Sequence, residues 1–166
     1  DVVGDIVSLA YVVIGKGTGL LAERTPGERI PLLGPLGKPF DFRAAAQSHV
    51  MIAGGIGSAP FPFLARALRE EESDRDRVVL LGGRTERHLF CLDLFRELAT
   101  EVLTATDDGS HGHHGLVTDL LDPYLDDPEN RLYACRLTNS SQLPSGSSTI
   151  AMVTPGATCT GGTGIA

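Results

Sequence analysis

His49-Val50-Met51-Ile52-Ala53-Gly54-Gly55-Ile56-Gly57-Ser58-Ala59-Pro60 is the stretch on which the fold turns. An apolar strand over residues 49–53 runs into glycines, and a helix follows. Pro60 and Pro62 fit only in a first helical turn, so the helix starts near residues 59–61. Glycines let the backbone adopt positive φ and come close to a ligand. The helix N-terminus then offers free N–H groups to an anion, typically a phosphate. In an open α/β sheet such a strand end is where ligands bind. Two readings stay open for these glycines: a tight strand-to-helix turn, or a phosphate cradle. The spacing is not Gly-x-Gly-x-x-Gly, and Gly15-Lys16-Gly17-Thr18 lacks the four residues between glycines that a Walker A loop requires.

Outward from this stretch, apolar runs recur at residues 78–81, 101–104 and 131–134. Helical patterns fill the gaps. Phe63, Leu64, Ala67 and Leu68 share one face; Leu89, Phe90, Leu94 and Leu98 roughly share another, after a possible cap at Thr85. Leu116, Val117, Leu120, Leu121 and Tyr124 form a third stripe, which Asp122-Pro123 is expected to end. Strand and helix alternating at this interval predict an α/β fold: a parallel sheet covered by helices.

The flanks differ. Residues 5–14 carry Ile6, Val7, Leu9, Tyr11, Val12, Val13 and Ile14, a strand-like content; residues 15–19 break it, and Leu20, Leu21 and Ala22 suit a short helical turn. Residues 29–33 read as another strand. Two or three strands cannot close a barrel, so residues 1–45 are either packed on the next segment or a remnant of a larger β domain. After Arg136 the chain holds no Asp, Glu, Lys or Arg and is rich in Ser, Thr, Gly and Pro. Residues 137–166 are expected to form a disordered, low-complexity tail, apart from a short apolar stretch at 150–153.

Composition narrows the function classes. The chain's 166 residues suit one domain, or one domain plus a fragment. Fourteen basic and 21 acidic residues leave a charge of −7, which disfavours nucleic acid and anionic membranes as partners. No apolar run is long enough to span a bilayer, and the first residues do not form a signal peptide. Three widely spaced cysteines, Cys91, Cys135 and Cys159, make no disulfide framework and suggest a reducing, cytoplasmic compartment.

Three loops fall at strand ends on the same edge as the glycine turn. Gly83, Arg84 and Thr85 follow the second strand; Arg84 reads as a surface arginine with a Thr cap, or as a cation for phosphate or ribose oxygens. Asp107 and Asp108, in Thr106-Asp107-Asp108-Gly109-Ser110, are acid–base groups, ribose acceptors or simply a turn. His111-Gly112-His113-His114 reads as a surface loop, since no carboxylate or thiolate set matches it as a metal site. Residues 70–77 read as a solvated helix end and loop. Cys135 closes the fourth strand, as a buried inert thiol or as a thiol beside a redox ring.

The motifs also stand in a telling order. Gly15-Lys16-Gly17-Thr18, Leu33-Gly34-Pro35-Leu36-Gly37, Ala53-Gly54-Gly55-Ile56-Gly57-Ser58-Ala59-Pro60, Leu81-Gly82-Gly83-Arg84-Thr85, Thr106-Asp107-Asp108-Gly109-Ser110, Gly115-Leu116-Val117-Thr118-Asp119 and Tyr133-Ala134-Cys135 follow one another. Over residues 1–135 this set resembles the electron-transfer subunits of NAD-dependent dihydroorotate dehydrogenase B, in the ferredoxin–NADP reductase superfamily. The resemblance implies part of an antiparallel FAD-type β-barrel (residues 1–45) followed by an NAD-binding α/β domain (residues 46–136). It implies FAD contacts at Ala10, Tyr11, Val12, Gly17 and Thr18, with Val12 standing where family members often have arginine. It puts the NAD pyrophosphate on Gly54, Gly55, Ile56, Gly57, Ser58, Ala59 and Pro60, and the ribose near Gly83, Arg84 and Thr85. Cys135 would approach the nicotinamide and flavin rings.

The implied function is electron transfer in pyrimidine biosynthesis: from dihydroorotate oxidised on a partner catalytic subunit, through a [2Fe–2S] cluster and FAD, to NAD⁺. No side chain of this chain is required as an acid or base, because the cofactors carry the chemistry. Three departures stand out. The family's Arg-Pro-x-Ser motif is missing. Arg136-Leu137-Thr138 replaces Gly-Pro and a methionine-bearing helix. Only Cys159 lies beyond Cys135, so the four cluster cysteines are absent. The first departure fits an N-terminally truncated chain, and the loss of similarity at Arg136 is the pattern a reading-frame change leaves. Two alternatives follow: a non-catalytic nucleotide-binding or subunit-interaction remnant, and a related reductase with another acceptor.

Overall fold

The apolar runs become neighbouring strands of one sheet. In the computed structural model, which describes residues 2–34, 36, 40, 46–137 and 148–153, the chain passes through β1 (Val2–Val3), β2 (Ile6–Val7), α1 (Lys16–Ala22), β3 (Ser48–Gly54), α2 (Phe61–Glu71), β4 (Asp76–Gly83), α3 (Leu92–Leu98), β5 (Glu101–Thr106), β6 (His113–His114), α4 (Asp122–Leu125), β7 (Asn130–Leu137) and β8 (Ser148–Val153). The main sheet has the order β6-β5-β4-β3-β7-β8. It is parallel from β6 to β7, and β8 joins β7 antiparallel. No helix among the described residues is long and apolar enough to cross a membrane.

Strand alternation sorts side chains to two faces. Met51, Ala53, Val79, Leu81, Tyr133 and Cys135 face α2 and α3, whose Phe61, Leu64, Ala65, Leu68, Phe95 and Leu98 complete that layer. Val50, Val78, Leu80 and Leu132 face the other way, against Val117, Leu120, Leu121 and Tyr124. Burial on both sides is why these strands read as continuous apolar runs. Each buried aliphatic or aromatic side chain contributes roughly 1.5–3 kcal/mol.

Helix phases differ in detail from the sequence reading. In α2 the inward stripe is Phe61, Leu64, Ala65 and Leu68, while Phe63 is exposed. Because α2 begins at Phe61, spacings of three, four and seven count from there. Thr85 caps a separate 3₁₀ turn, Glu86–His88, and α3 starts after Cys91, so Phe90 faces out. Asp122-Pro123 opens α4 instead of ending a helix, since proline suits a first turn; the stripe before it is a 3₁₀ turn, Val117–Leu120.

The N-terminal segment carries little regular structure. β1 and β2 form a two-residue antiparallel hairpin, and α1 takes in the Gly15-Lys16-Gly17-Thr18 motif from Lys16 onward. The strands expected at residues 5–14 and 29–33 are absent apart from Ile6–Val7. Strands need partner strands, and among the described residues none pairs with residues 8–14 or 29–33: Ile14 is 81% exposed and Leu33 86%. Phe40 packs onto the core, its ring 5.7 Å from Phe61 and 5.8 Å from Tyr133. The expected disordered tail lies mostly outside the described residues; within them, a strand broader than the apolar stretch at 150–153 forms as β8.

Residues 70–77 are not simply solvated. Arg77 is buried, and its guanidinium donates to the carbonyls of Arg75 (2.8 Å), Leu98 (3.1 Å), Glu72 (3.4 Å) and Ser73 (3.4 Å). It thus satisfies carbonyls at the C-terminal ends of both α2 and α3, where a cation also suits the helix dipoles. His49, fully buried in β3, bridges the Tyr133 hydroxyl (3.0 Å) and the Glu72 carboxylate (3.1 Å). Burial pushes the His49 pKa below its ordinary 6.5, and the Glu72 partner only partly offsets this.

Replacing Arg77 by Met is expected to cost about 2–3 kcal/mol in urea unfolding by orphaning buried carbonyls. A neutral His49 is favoured in the fold, so its contribution is complete above pH 6.5 and is lost as pH falls through the lower folded value. The thermal midpoint of the native chain should therefore drop more steeply between pH 7.5 and 5.5 than that of His49→Gln. Equal slopes would remove His49 from that pH dependence.

Candidate functional site

Chain order fixes where a ligand can enter. From β3 the chain steps through β4 to β5 on one side, then returns to β7 on the other. The strand order therefore reverses between β3 and β7, and the crevice at the C-terminal ends of strands at such a switch is the usual ligand position in open α/β sheets. Register places Gly54 beside Gly82 of β4 and Arg136 of β7, and Ala53 beside Leu81 and Cys135. Gly54 to Pro60, Gly83 to Thr85 and Cys135 thus share one edge.

After Gly54, a 3₁₀ turn, Gly55–Ser58, leads through Ala59 to Pro60, the N-cap of α2. Pro60 and Pro62 lack N–H groups, so free donors in this first turn fall to Phe61 and Phe63. Gly55 has φ +56°, a conformation that disfavours any side chain. Gly54 has extended angles, φ −115° and ψ 117°, which any residue adopts. A methyl group built on Gly54 or Gly55 meets no atom of the described residues within 4 Å, so packing among them does not call for glycine at either. Ser58 is fully buried, and its Oγ has no hydrogen-bond partner among the described residues.

The second glycine pair behaves in the opposite way. A Cβ on Gly82 would stand 2.7 Å from Val117 Cβ, and one on Gly83 3.0 Å from the His88 backbone. These glycines let the 3₁₀ turns pack against the sheet. Beyond them, the β4 and β5 loops are stitched together: Asp107 N–H donates to the Gly83 carbonyl (3.1 Å) and Asp108 N–H to that of Arg84 (3.2 Å). The Glu86 N–H donates to Ser110 Oγ (2.8 Å), and Ser110 donates its hydroxyl (2.6 Å) and N–H (3.0 Å) to Asp108 Oδ1. Thr85 Oγ1 pairs with His88 Nδ1 at 2.9 Å. Thr85, Glu86, Arg87, His88, Asp108 and Ser110 line a crevice of about 470 Å³. Local spacing hides this set, since only the β4–β5 pairing brings Glu86 to Ser110.

The remaining candidates are dispersed. Cys135 is 8% exposed, and burial pushes its thiol pKa up, so it is a protonated thiol at neutral pH. Ala10, Tyr11 and Val12 are exposed and outside regular elements. Gly17 and Thr18 belong to α1, where Thr18 Oγ1 accepts from the N–H groups of Ile14 (3.1 Å) and Gly15 (3.2 Å). His113 and His114 form the edge strand β6, with His113 Nε2 3.3 Å from Asp119 Oδ2. No group of three or more His, Cys, Asp or Glu side chains suited to a metal exists among the described residues.

This sheet order, with its glycine turn at the switch point, defines a dinucleotide-type α/β domain of ferredoxin-reductase kind. The chain belongs to the oxidoreductase NAD-binding domain family, whose profile matches residues 51–137. It is 37% identical over 121 residues to the dihydroorotate dehydrogenase B (NAD(+)) electron transfer subunit of Desulforamulus reducens, covering 73% of this chain and 45% of that one. The corresponding subunit of Clostridium perfringens is 34% identical, covering 73% and 48%. An Aquifex aeolicus homolog of the subunit is 37% identical, covering 70% and 45%. The chain thus spans about half the length of these curated relatives. A solved structure of an NADH-dependent reduced ferredoxin-NADP oxidoreductase, described for flavin-based electron bifurcation, superposes with a TM-score of 0.57 at 25% identity, covering 74% of this chain and 52% of that one.

The two kinds of glycine separate by substitution. Gly82→Ala is expected to destabilise by about 1–3 kcal/mol through overpacking, whereas Gly54→Ala should stay within about 0.5 kcal/mol. Denaturant midpoints of the two variants measure the difference.

Proposed function

We propose that this chain is the NAD-binding part of an electron-transfer subunit of the dihydroorotate dehydrogenase B type. On this reading residues 46–136 are the NAD domain, residues 1–45 belong to a flavin-side β domain, and residues 137–166 are an appendage. The carrying observation is that, at the C-terminal end of β3, Gly54 has no packing reason to be glycine among the described residues and Gly55 is held at φ +56° just before α2. A bare backbone in such a turn suits a diphosphate, whose oxygens accept from its N–H groups.

In this role the N–H groups of residues 54–58 and the start of α2 bind the coenzyme's diphosphate. The loops after β4 and β5 receive its adenosine half. Cys135, one strand from Ala53, supports this edge from the core as a neutral thiol. NAD⁺ accepts a hydride, two electrons and one proton, when bound beside a reduced flavin. The chain's task is to hold the dinucleotide in register and keep the crevice dry.

The flavin side fits less well. The Thr18 hydroxyl is already engaged within α1, and Val12 offers no charge to a phosphate. Three cysteines cannot supply the four ligands of a [2Fe–2S] cluster. These residues favour a second reading, an NAD-binding module that does not retain flavin by itself. In either case the relatives are named as electron transfer subunits of a dihydroorotate dehydrogenase B, which favours a catalytic dihydroorotate dehydrogenase partner; pyrimidine biosynthesis as the pathway and the cytoplasm as the compartment belong to the proposal.

Calorimetric titration with NADH should give one site per chain, and Gly55→Val should weaken it by about tenfold or more. Unchanged affinity in that variant would remove the glycine turn from the site. A visible flavin spectrum after incubation with FAD and gel filtration would favour the first reading over the second.

A further inference from the structure

Resting on residues 54–58 as the diphosphate cradle, we propose that Phe40 is a positioning residue for the coenzyme. Its ring holds Phe61, and with it the glycine turn and the start of α2, where the diphosphate needs them. A cradle made of backbone has no side chain to adjust, so its N–H groups must be held within about 0.5 Å of their working positions. Local bonds do little of this holding. Pro60, the N-cap of α2, makes no side-chain cap hydrogen bond, and Pro60 and Pro62 have no N–H to donate. Packing takes their place. Phe61 is the largest side chain between Gly54 and Pro62, and it is fully buried. The same residue carries one of the free N–H groups of the first turn.

Phe40 meets Phe61 and the sheet together. Its ring centroid lies 5.7 Å from that of Phe61, with the planes tilted by 31°, and 5.8 Å from that of Tyr133, edge-on at 87°. Both distances fall in the range of about 4.5–7 Å that aromatic pairs prefer, where the ring quadrupoles make the contact directional as well as apolar. Tyr133 is itself fixed. It is fully buried in β7, in register with Met51 of β3, and its hydroxyl is 3.0 Å from His49 Nδ1. Phe40 thus links a residue that moves with the turn to one that moves with the sheet.

Placement separates this contact from ordinary core filling. Phe40 is half-buried and joins this layer from outside residues 51–137, the span that the NAD-binding profile matches. The other side chains of the layer lie inside that span. On the proposed reading Phe40 belongs to the flavin-side segment, residues 1–45. Its ring lets that segment set the geometry of the coenzyme site.

NADH titration of the native chain, Phe40→Ala, Phe40→Tyr and Leu98→Ala tests this, with circular dichroism checking that each is folded. Leu98, 2% exposed and the last residue of α3, is the control for lost core packing in the same layer. Phe40→Ala should weaken NADH by about tenfold or more, while Phe40→Tyr and Leu98→Ala stay within about threefold of the native chain. Without ligand, the ¹⁵N amide signals of residues 54–58 should shift in Phe40→Ala and stay in place in Leu98→Ala. Native affinity or unmoved amides in Phe40→Ala, or equal weakening in Leu98→Ala, would overturn the positioning role while leaving the cradle intact. If Phe40→Ala does not fold, Phe40→Leu replaces it: weakening by about threefold or more is expected, and native affinity would overturn the role. A native chain that binds no NADH would overturn the cradle as well.

Discussion

Strand β3 is hydrogen-bonded on both sides, to β4 and to β7, along its whole length. Its side chains are needed by both layers, Met51 and Ala53 on one face and Val50 with Ile52 on the other. A one-residue slip would exchange these sets and carry Gly54 away from the sheet edge. The register that builds the core therefore also sets the height of the glycine turn. Because the chain leaves β3 toward β4 and comes back at β7, the same strand marks the point where the crevice opens.

Glycines along this edge answer to different constraints. Gly82 and Gly83 are required by the protein itself, since Val117 and His88 occupy the space a side chain would need. Gly55 is set by its backbone angle. Gly54 is required by neither. A glycine without an internal reason among the described residues, beside one set by its backbone angle at the start of a helix, is where an external ligand becomes the economical explanation. The crevice beside β4 and β5, by contrast, is walled by side chains of residues 85–88 with Asp108 and Ser110.

Much of this was legible in the residues. Continuous apolar runs at β3, β4, β5 and β7 announced strands buried on both faces, and Pro60 and Pro62 marked the start of α2. Helix phase was harder to read. Phe63 and Phe90 have the hydrophobicity of core residues, yet lie outward because capping and the αL turn at Cys91 set the rotation. Arg77 was hidden for another reason: in a run of charges, nothing local tells a solvated arginine from one that clamps two helix ends. Phe40, Glu86 and Ser110 gain their roles only through long-range packing. The N-terminal segment failed as strands because β propensity needs a partner strand, and its apolar residues remain exposed.

Backbone amide chemical shifts of the ¹⁵N-labelled chain, followed during addition of ADP-ribose, test the central claim most directly. The account predicts that the largest, saturable changes fall on Gly54, Gly55, Ile56, Gly57 and Ser58. Saturation with those five amides unmoved, and the changes gathered elsewhere, would contradict it.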